Sequence, residues 1–252
     1  TIQAADLSVS LESLRNTGQI YSETGGIDSD RVVNEGVIYG ENTLSIESKT
    51  SLKNLKTISG KQLGLYGGTL DNDGDIHSET ATLRADNIEN SGSIISSGNQ
   101  SISYTSFSNA GTLSGTELTL SGDETRNYKT IKAEKINLSG GDIRNEGAIL
   151  AEELRVDANH LENSQQMSSV ELSDFNLNSL VNTGELSSES HLKVAVHGHT
   201  QNEGVLKSRG TLDLTVEGAF LNGKEAGIVA IESVDIAAES LENKGAIAAG
   251  GD

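Results

Sequence analysis

Several residue types are missing from this chain of 252 residues, and each absence excludes a class of protein. There is no cysteine, so a disulfide framework and thiol chemistry are excluded. There is also no proline, although ordinary usage near 5% would give about a dozen. Proline removes a hydrogen bond from a paired strand, so its absence suits strands that lie inside a sheet. No apolar run approaches the roughly 18 residues that a membrane helix needs.

Positive charge is scarce as well. Lys and Arg total 18 against 37 Asp and Glu, which gives a formal net charge of -19. Nucleic acids and anionic membranes are bound through basic patches, so neither is predicted as a partner. Tryptophan is absent and there are only five Tyr and three Phe, so aromatic platforms for sugars are scarce. We predict no cofactor and no small-molecule substrate.

What the chain has in abundance is a repeated corner. An Asn, usually with Gly two residues later and Ile or Leu four residues later, recurs thirteen times at intervals of 18 to 21 residues. A fixed period of this size along the whole chain indicates a solenoid. The repeated residues are Asn16, Asn34, Asn54, Asn72, Asn90, Asn109, Asn127, Asn145, Asn163, Asn182, Asn202, Asn222 and Asn243.

One coil shows the structure that the repeat predicts. After Asn145, apolar or small residues follow at steps of two within short runs, and odd steps separate the runs. A step of two indicates a strand and an odd step a corner, so we predict three short strands per coil. The chain is therefore expected to be all-β, a right-handed parallel β-helix of about thirteen coils, each pairing with the next at about 4.8 Å. A left-handed hexapeptide helix needs an apolar residue at every sixth position, and leucine-rich repeats place Asn at another offset, so both are less favoured.

The corner residues have predicted structural roles. Stacked Asn amides can bond along a ladder and to the corner backbone, and Asn tolerates a left-handed conformation. The following Gly is expected to provide a positive φ or close stacking of coils. We therefore predict that the thirteen Asn residues are scaffold rather than a site.

The repeat predicts one β-helix segment over residues 1–252, cut from a longer chain. Residues 1–15 are expected to form a partial first coil with Leu7, Val9, Leu11 and Leu14 inward. Residues 16–162 form regular coils, and residues 163–252 form longer, less regular ones. In the coil after Asn163, the inward positions are expected at Met167, Val170, Leu172, Phe175 and Leu177.

The Asn-x-Gly-x-Ile opening, the Leu-x-Leu middle and the Leu-x-Asn close resemble the filamentous-haemagglutinin repeats of two-partner-secretion exoproteins. The resemblance covers about residues 7–249. This group includes large Gram-negative adhesins and the effectors of contact-dependent growth inhibition, between which the repeat does not discriminate. The resemblance implies export through an outer-membrane secretion partner and an extracellular location at the bacterial cell surface.

Two functions follow from this resemblance. The first is a structural rod that presents a distal binding or toxin region. The second is a receptor-binding segment that recognises a protein or glycan on a target cell through the irregular coils between Asn163 and Asn243. Candidate partner-binding residues are those that depart from the repeat there, Met167 and Phe175, together with His191, His197 and His199.

Catalytic and metal sites are not predicted. Coil lengths vary by only three residues, which leaves no long loops to wall a catalytic cleft, so we do not expect an enzyme. The corner Asp71, Asp73 and Asp75 has the alternating carboxylates that Ca²⁺ favours, but it lacks the EF-hand pattern and is also the ordinary Asn-x-Gly corner. His191, His197 and His199 share a strand face, and without a nearby Cys or carboxylate they are expected to be solvated rather than to bind a metal.

Overall fold

The computed structural model describes residues 1–250. Those residues form parallel strands and turns, and none of them forms a helix suited to crossing a membrane. The chain divides into two compact units, residues 1–122 and residues 123–252. Each unit is a parallel β-solenoid, which confirms the predicted fold class.

In the first unit, each strand pairs with its equivalent one coil later. Ile2 aligns with Ile20, and Val37 aligns with Thr57, at offsets equal to the period of the repeat. The strands are β1 (Ile2–Asn16), β2 (Gln19–Asn34), β3 (Val37–Asn54), β4 (Thr57–Asn72), β5 (Asp75–Asn90), β6 (Ser93–Ser96), β7 (Asn99–Asn109), β8 (Thr112–Ser114) and the start of β9 (Glu117–Asn127).

The core of the first unit consists of stacked columns of aliphatic residues. One column follows the Asn corner and contains Ile38, Ile58 and Ile76, which are all buried. The predicted middle pairs are also buried, including Leu44 with Ile46. Burying a side chain of this size contributes about 1.5–3 kcal/mol, so these columns are the main apolar source of stability.

The first coil differs in part from its prediction. β1 pairs with β2 along its whole length, from Ile2 to Asn16. Leu7, Val9 and Leu14 are half-buried, but Leu11 is 48% exposed. Leu11 was expected to face inward, and it is less covered because β1 is paired on one side only.

The second unit has the same organisation with longer coils. Equivalent residues of neighbouring coils can lie 20 positions apart here, as His191 and Thr211 do. Its strands are the end of β9, then β10 (Thr130–Lys132), β11 (Lys135–Asn145), β12 (Ala148–Asn163), β13 (Gln166–Asn182), β14 (Glu185–Ser188), β15 (His191–Val196), β16 (Thr200–Asn202), β17 (Val205–Ser208), β18 (Thr211–Asn222), β19 (Gly227–Ala230), β20 (Ser233–Asn243) and β21 (Ala246–Ala249).

The coil after Asn163 corrects two predicted inward positions. Val170 is 56% exposed and Leu172 is half-buried, while Ser169 and Ser173 are buried. The register between β12 and β13 shifts at this point, so one extra residue moves the inward position from Leu172 to Ser173. Since a buried hydroxyl needs a partner, Ser173 donates to the Ser169 hydroxyl at 2.9 Å or to the Ser187 carbonyl at 2.9 Å.

Two details of the corners also differ from expectation. No residue in the described range has a positive φ, so the corners do not use the left-handed conformation. The glycine instead permits close stacking, because a Cβ added to Gly36 would lie 2.0 Å from the Gly18 carbonyl oxygen. The strands also bend through corners rather than break there, and β3 runs through 18 residues.

Candidate interaction surface

The repeated asparagines form a ladder inside each unit. In the first unit the Asn16 Nδ2 donates to Asn34 Oδ1 at 2.8 Å, and the same bond recurs up to Asn109 at 2.7 or 2.8 Å. In the second unit it recurs from Asn127 to Asn243 at 2.7 to 2.9 Å. All of these residues except Asn243 are buried.

Each amide of the ladder also closes its corner. Asn34 Nδ2 approaches the Gly36 carbonyl at 3.0 Å and the Thr57 carbonyl of the next coil at 2.8 Å. One amide therefore holds the backbone of its own corner and that of the following coil. Because the group is buried and fully bonded, removing it leaves several corner atoms without partners. The arrangement holds coils together and leaves no amide atom for a ligand.

The acidic corner at Asp71 to Asp75 forms ion pairs with protein groups. Lys53 Nζ lies 2.6 Å from Asp71 Oδ2 and 3.2 Å from Asp73 Oδ2. Hydrogen bonds to Asp71 and then Asp73 raise the pKa of Lys53. The Ser91 hydroxyl, followed by Lys53, lowers the pKa of the Asp73 carboxyl. Across residues 1–250, no three His, Asp or Glu side chains are grouped to hold a metal ion.

The three predicted histidines lie on the surface of the second unit, and two of them have carboxylate neighbours. His191 Nε2 lies 2.8 Å from Asp213 Oδ2, and His197 Nδ1 lies 3.2 Å from Glu217 Oε1. The expectation that no carboxylate is near them was wrong, because the partners come from the next coil, 20 or 22 residues later in the sequence. His199 is exposed.

Met167 and Phe175 do not belong to this surface. Both side chains are 0% exposed, so neither can contact a partner. Met167 aligns with Ile149 and Phe175 with Val156, which places both in the inward columns. Their departure from the usual residue types is a change of core packing.

One histidine near this surface was not singled out from the sequence. His160 Nδ1 is 2.8 Å from the Ser179 hydroxyl on the following coil. The sequence could have indicated this contact, because Ser179 follows His160 by 19 residues, which is about the length of one coil. His160, Ser179, His197 and His199 therefore give the second unit a polar surface with several imidazoles.

The chemical capacity of this surface is for polar contact. Imidazole, carboxylate and hydroxyl groups lie on rigid strands, where they can donate and accept hydrogen bonds. Ser179 and His199 line an open depression of about 450 Å³ in the second unit. Such an arrangement can make polar contacts with another molecule.

One comparison with known proteins found a relative over part of the chain. The chain is 31% identical over 120 residues to a protein named 16S rRNA endonuclease CdiA from Enterobacter cloacae subsp. cloacae. The aligned region covers 46% of this chain and 4% of that relative, so the chain spans a small part of its length. No family model matches the chain, and no solved structure matches it.

The resemblance proposed from the repeat is confirmed by two independent findings. The coils form parallel β-solenoids with the Asn corners stacked in register, and the similarity in sequence is to a CdiA protein. The chain therefore forms parallel β-solenoid coils that are consistent with that repeat type, and over less than half of its length it is similar in sequence to a short part of a CdiA protein.

Proposed function

We propose that this chain is a shaft segment of a secreted cell-surface adhesin or contact-dependent inhibition exoprotein. Its task is to hold a distal binding or toxin region away from the cell that made it. The observation that carries the proposal is the buried asparagine ladder, which joins each coil of a unit to the next. Such a ladder stiffens a stack and provides no reactive group.

The surface supports a mechanical role. Ion pairs between neighbouring coils, such as Arg15 with Glu35 and Arg209 with Glu189, reinforce the stack from outside. Exposed pairs of this kind each contribute at most about 1 kcal/mol, so they supplement the core and the ladder. The net charge of -19 keeps a long repeat soluble. We further propose an outer-membrane secretion partner for the parent chain and display at the surface of a Gram-negative cell.

Removal of one coil tests the shaft. Deleting residues 55–72 removes 18 residues between equivalent positions, so Asn54 can bond to Asn90 in place of Asn72. In the parent exoprotein, we expect normal surface display and contact with target cells at slightly shorter reach. The matched control deletes residues 55–63, half a coil, which breaks the register and should abolish folding by circular dichroism. If the one-coil deletion variant is displayed at the cell surface but no longer contacts target cells, the shaft proposal is refuted.

A second candidate is recognition of a target-cell protein or glycan by the second unit. Val170 favours it, since a 56% exposed aliphatic side chain stands out on the polar surface of a coil whose register is irregular. His191, His197 and His199 lie on later coils and would add polar contacts.

This candidate predicts saturable binding of the labelled chain to one cell type in a panel of bacterial and epithelial cells. A Val170→Asp variant should weaken that binding at least tenfold, and a triple His→Ala variant at 191, 197 and 199 should weaken it further. An Ile95→Asp variant, on an exposed aliphatic residue of the first unit and outside the candidate recognition coils, serves as the control. A folded chain that binds no cell type would eliminate this candidate.

A further inference from the structure

The first unit carries a groove that the repeat pattern did not predict. It has a volume of about 700 Å³ and crosses consecutive coils, with Glu47, Tyr66, Arg84 and Ser103 along one side. These four residues align coil by coil in the register. At about 4.8 Å per coil, they span about 14 Å along the stack. The volume lies within the range of about 300–1,000 Å³ that is usual for ligand sites.

Small residues create the depression. Gly67 and Ala85 align with each other in the column beside this side of the groove, between Ser48 on the preceding coil and Tyr104 on the following one. The next residue of the column, Tyr104, packs its ring against Phe107 at 5.3 Å between centroids. Its ring also covers Gly122, where an added Cβ would lie 2.2 Å from Tyr104 Cδ2. The floor is therefore made of backbone, a methyl group and the edge of an aromatic ring.

Tyr66 provides a flat aromatic surface at the groove. Its ring lies back over Gly64, where an added Cβ would be only 2.7 Å from Tyr66 Cε2. The glycine thus lets the ring rest on the sheet, and the half-buried ring keeps part of its surface open to the groove. Such a face packs well against the C–H groups of a ligand.

Hydrogen-bond donors and acceptors both lie around the Tyr66 ring. Glu47 and Asp86 can accept hydrogen bonds, Arg84 can donate them, and Ser103 and Thr105 can do both. Among the ion pairs of residues 1–250, none involves Arg84, although acidic residues outnumber basic ones two to one. Its guanidinium is therefore available to a ligand.

We propose that this groove binds a short, uncharged oligosaccharide. Alternating C–H faces and hydroxyl groups along a sugar chain match an aromatic surface flanked by acceptors and donors. An extended peptide fits less well, because β4 and β5 are already paired on both sides and offer no free strand edge. A polyanion is disfavoured, because two carboxylates and one guanidinium line the groove and the chain carries a net charge of -19.

The proposal goes beyond the shaft function and does not depend on it, since a shaft can stand with or without this site. It also differs from the second candidate, which lies in the other unit. The low number of aromatic residues had argued against sugar platforms, but a single Tyr placed over a glycine is enough to form one.

Saturation-transfer NMR and isothermal titration calorimetry of the 252-residue chain test the groove. The probes are maltotetraose, cellotetraose, mannotetraose and chitotetraose, with a heparin-derived tetrasaccharide as the anionic comparison. We expect at least one neutral probe to bind with a ratio of one to one and a Kd on the order of 0.1–1 mM, with saturation transfer to its ring C–H protons.

Variants locate the binding. Tyr66→Ala should weaken it at least tenfold, Tyr66→Phe should retain most of it, and Arg84→Gln should weaken it several-fold. Tyr128→Ala, at an exposed tyrosine outside the groove, is the matched control and should change nothing. Circular dichroism confirms that each variant is folded. The proposal is overturned if the folded chain binds no neutral probe, binds only the heparin fragment, or binds equally well after Tyr66→Ala.

Discussion

Gln100 is the residue at which a single substitution should most clearly stabilise the protein. Its side chain is 2% exposed, and neither its amide nitrogen nor its amide oxygen has a hydrogen-bond partner. It aligns with Ala81, which in turn aligns with Leu63, so it occupies an inward column that is otherwise apolar there. A buried amide without partners loses its hydration and gains nothing in return.

We predict that Gln100→Leu raises the free energy of unfolding by about 2–5 kcal/mol. An unpaired buried polar group costs about 1–3 kcal/mol, and the substitution removes that cost. Leucine adds the favourable transfer of an aliphatic side chain to the interior, on the order of 1–2 kcal/mol after imperfect packing. The small Ala81 on the preceding coil leaves room for the branched side chain. For a chain of this size, each kcal/mol corresponds to about 2–4 °C in Tm, so the expected rise is at least about 4 °C.

Urea unfolding followed by circular dichroism measures the change, and amide hydrogen exchange along β7 shows whether it is local, as solenoids can open in parts. The reverse substitution, Leu63→Gln, is the matched control, because it puts the same amide in the same column. It should lower stability by about 3–5 kcal/mol. A Gln100→Leu variant less stable than the original chain would refute the reasoning, because the amide would then have to be making favourable bonds.

Three further outcomes are expected. Asn72→Ala should cost about 2–5 kcal/mol in urea unfolding, because it breaks the ladder and leaves buried corner carbonyls without a donor. Phe175→Asp should prevent folding by circular dichroism, whereas Val170→Asp should leave Tm within about 2 °C, since only the first side chain is buried. The lowered pKa of Asp73 adds stability above the unfolded value near 3.8, and that stability is lost as pH falls through the folded pKa. Ser91 is the larger cause of that shift and Lys53 the second, so Lys53→Gln should cost under about 1 kcal/mol at pH 7, given 41% exposure of the Asp73 side chain, and progressively less as the pH falls below 3.8.

The controls for Asn72→Ala and Lys53→Gln are substitutions in the same unit, the first. Asn99→Ala removes an exposed asparagine and should leave the urea midpoint unchanged. Lys61→Gln removes an exposed lysine outside the ion pairs of the described residues and should not alter the acid limb. Equal losses of unfolding free energy in Asn72→Ala and Asn99→Ala would show that the ladder bonds add no stability. Equal dependence of stability on pH in the two lysine variants would show that Lys53 does not stabilise the Asp73 carboxylate.

The fold could be predicted because the repeat reports directly on burial. Steps of two residues place pairs such as Leu118 with Leu120 inward, and the structure buries both. The prediction was wrong at Val170 and Leu172, because a single extra residue enters between Ser169 and Leu172 and aligns Ser173, rather than Leu172, with the inward Leu154. The apolar sequence alone does not show where such a shift is absorbed.

The surface could be predicted less well, since its contacts join residues about one coil apart. The carboxylate partners of His191 and His197 become visible only when the coils are aligned at the correct offset. Unusual residue type was also a poor guide to exposure, because Met167 and Phe175 fill inward positions. The groove at Tyr66 depends on Gly64 and Gly67, whose lack of side chains creates space that a pattern of apolar residues does not record.

The asparagine ladder has a direction. In both units the amide nitrogen of each Asn donates to the oxygen of the next one toward the carboxyl terminus, as Asn54 does to Asn72. A finished coil therefore presents an amide hydrogen to the coil that follows, and the new coil needs only a carbonyl at the matching position. If the coils fold in order from the amino terminus, each new coil meets a donor that is already in place, as a new layer does at one face of a crystal. A coil shifted by one residue would place no amide oxygen opposite that donor, so the ladder favours the correct register.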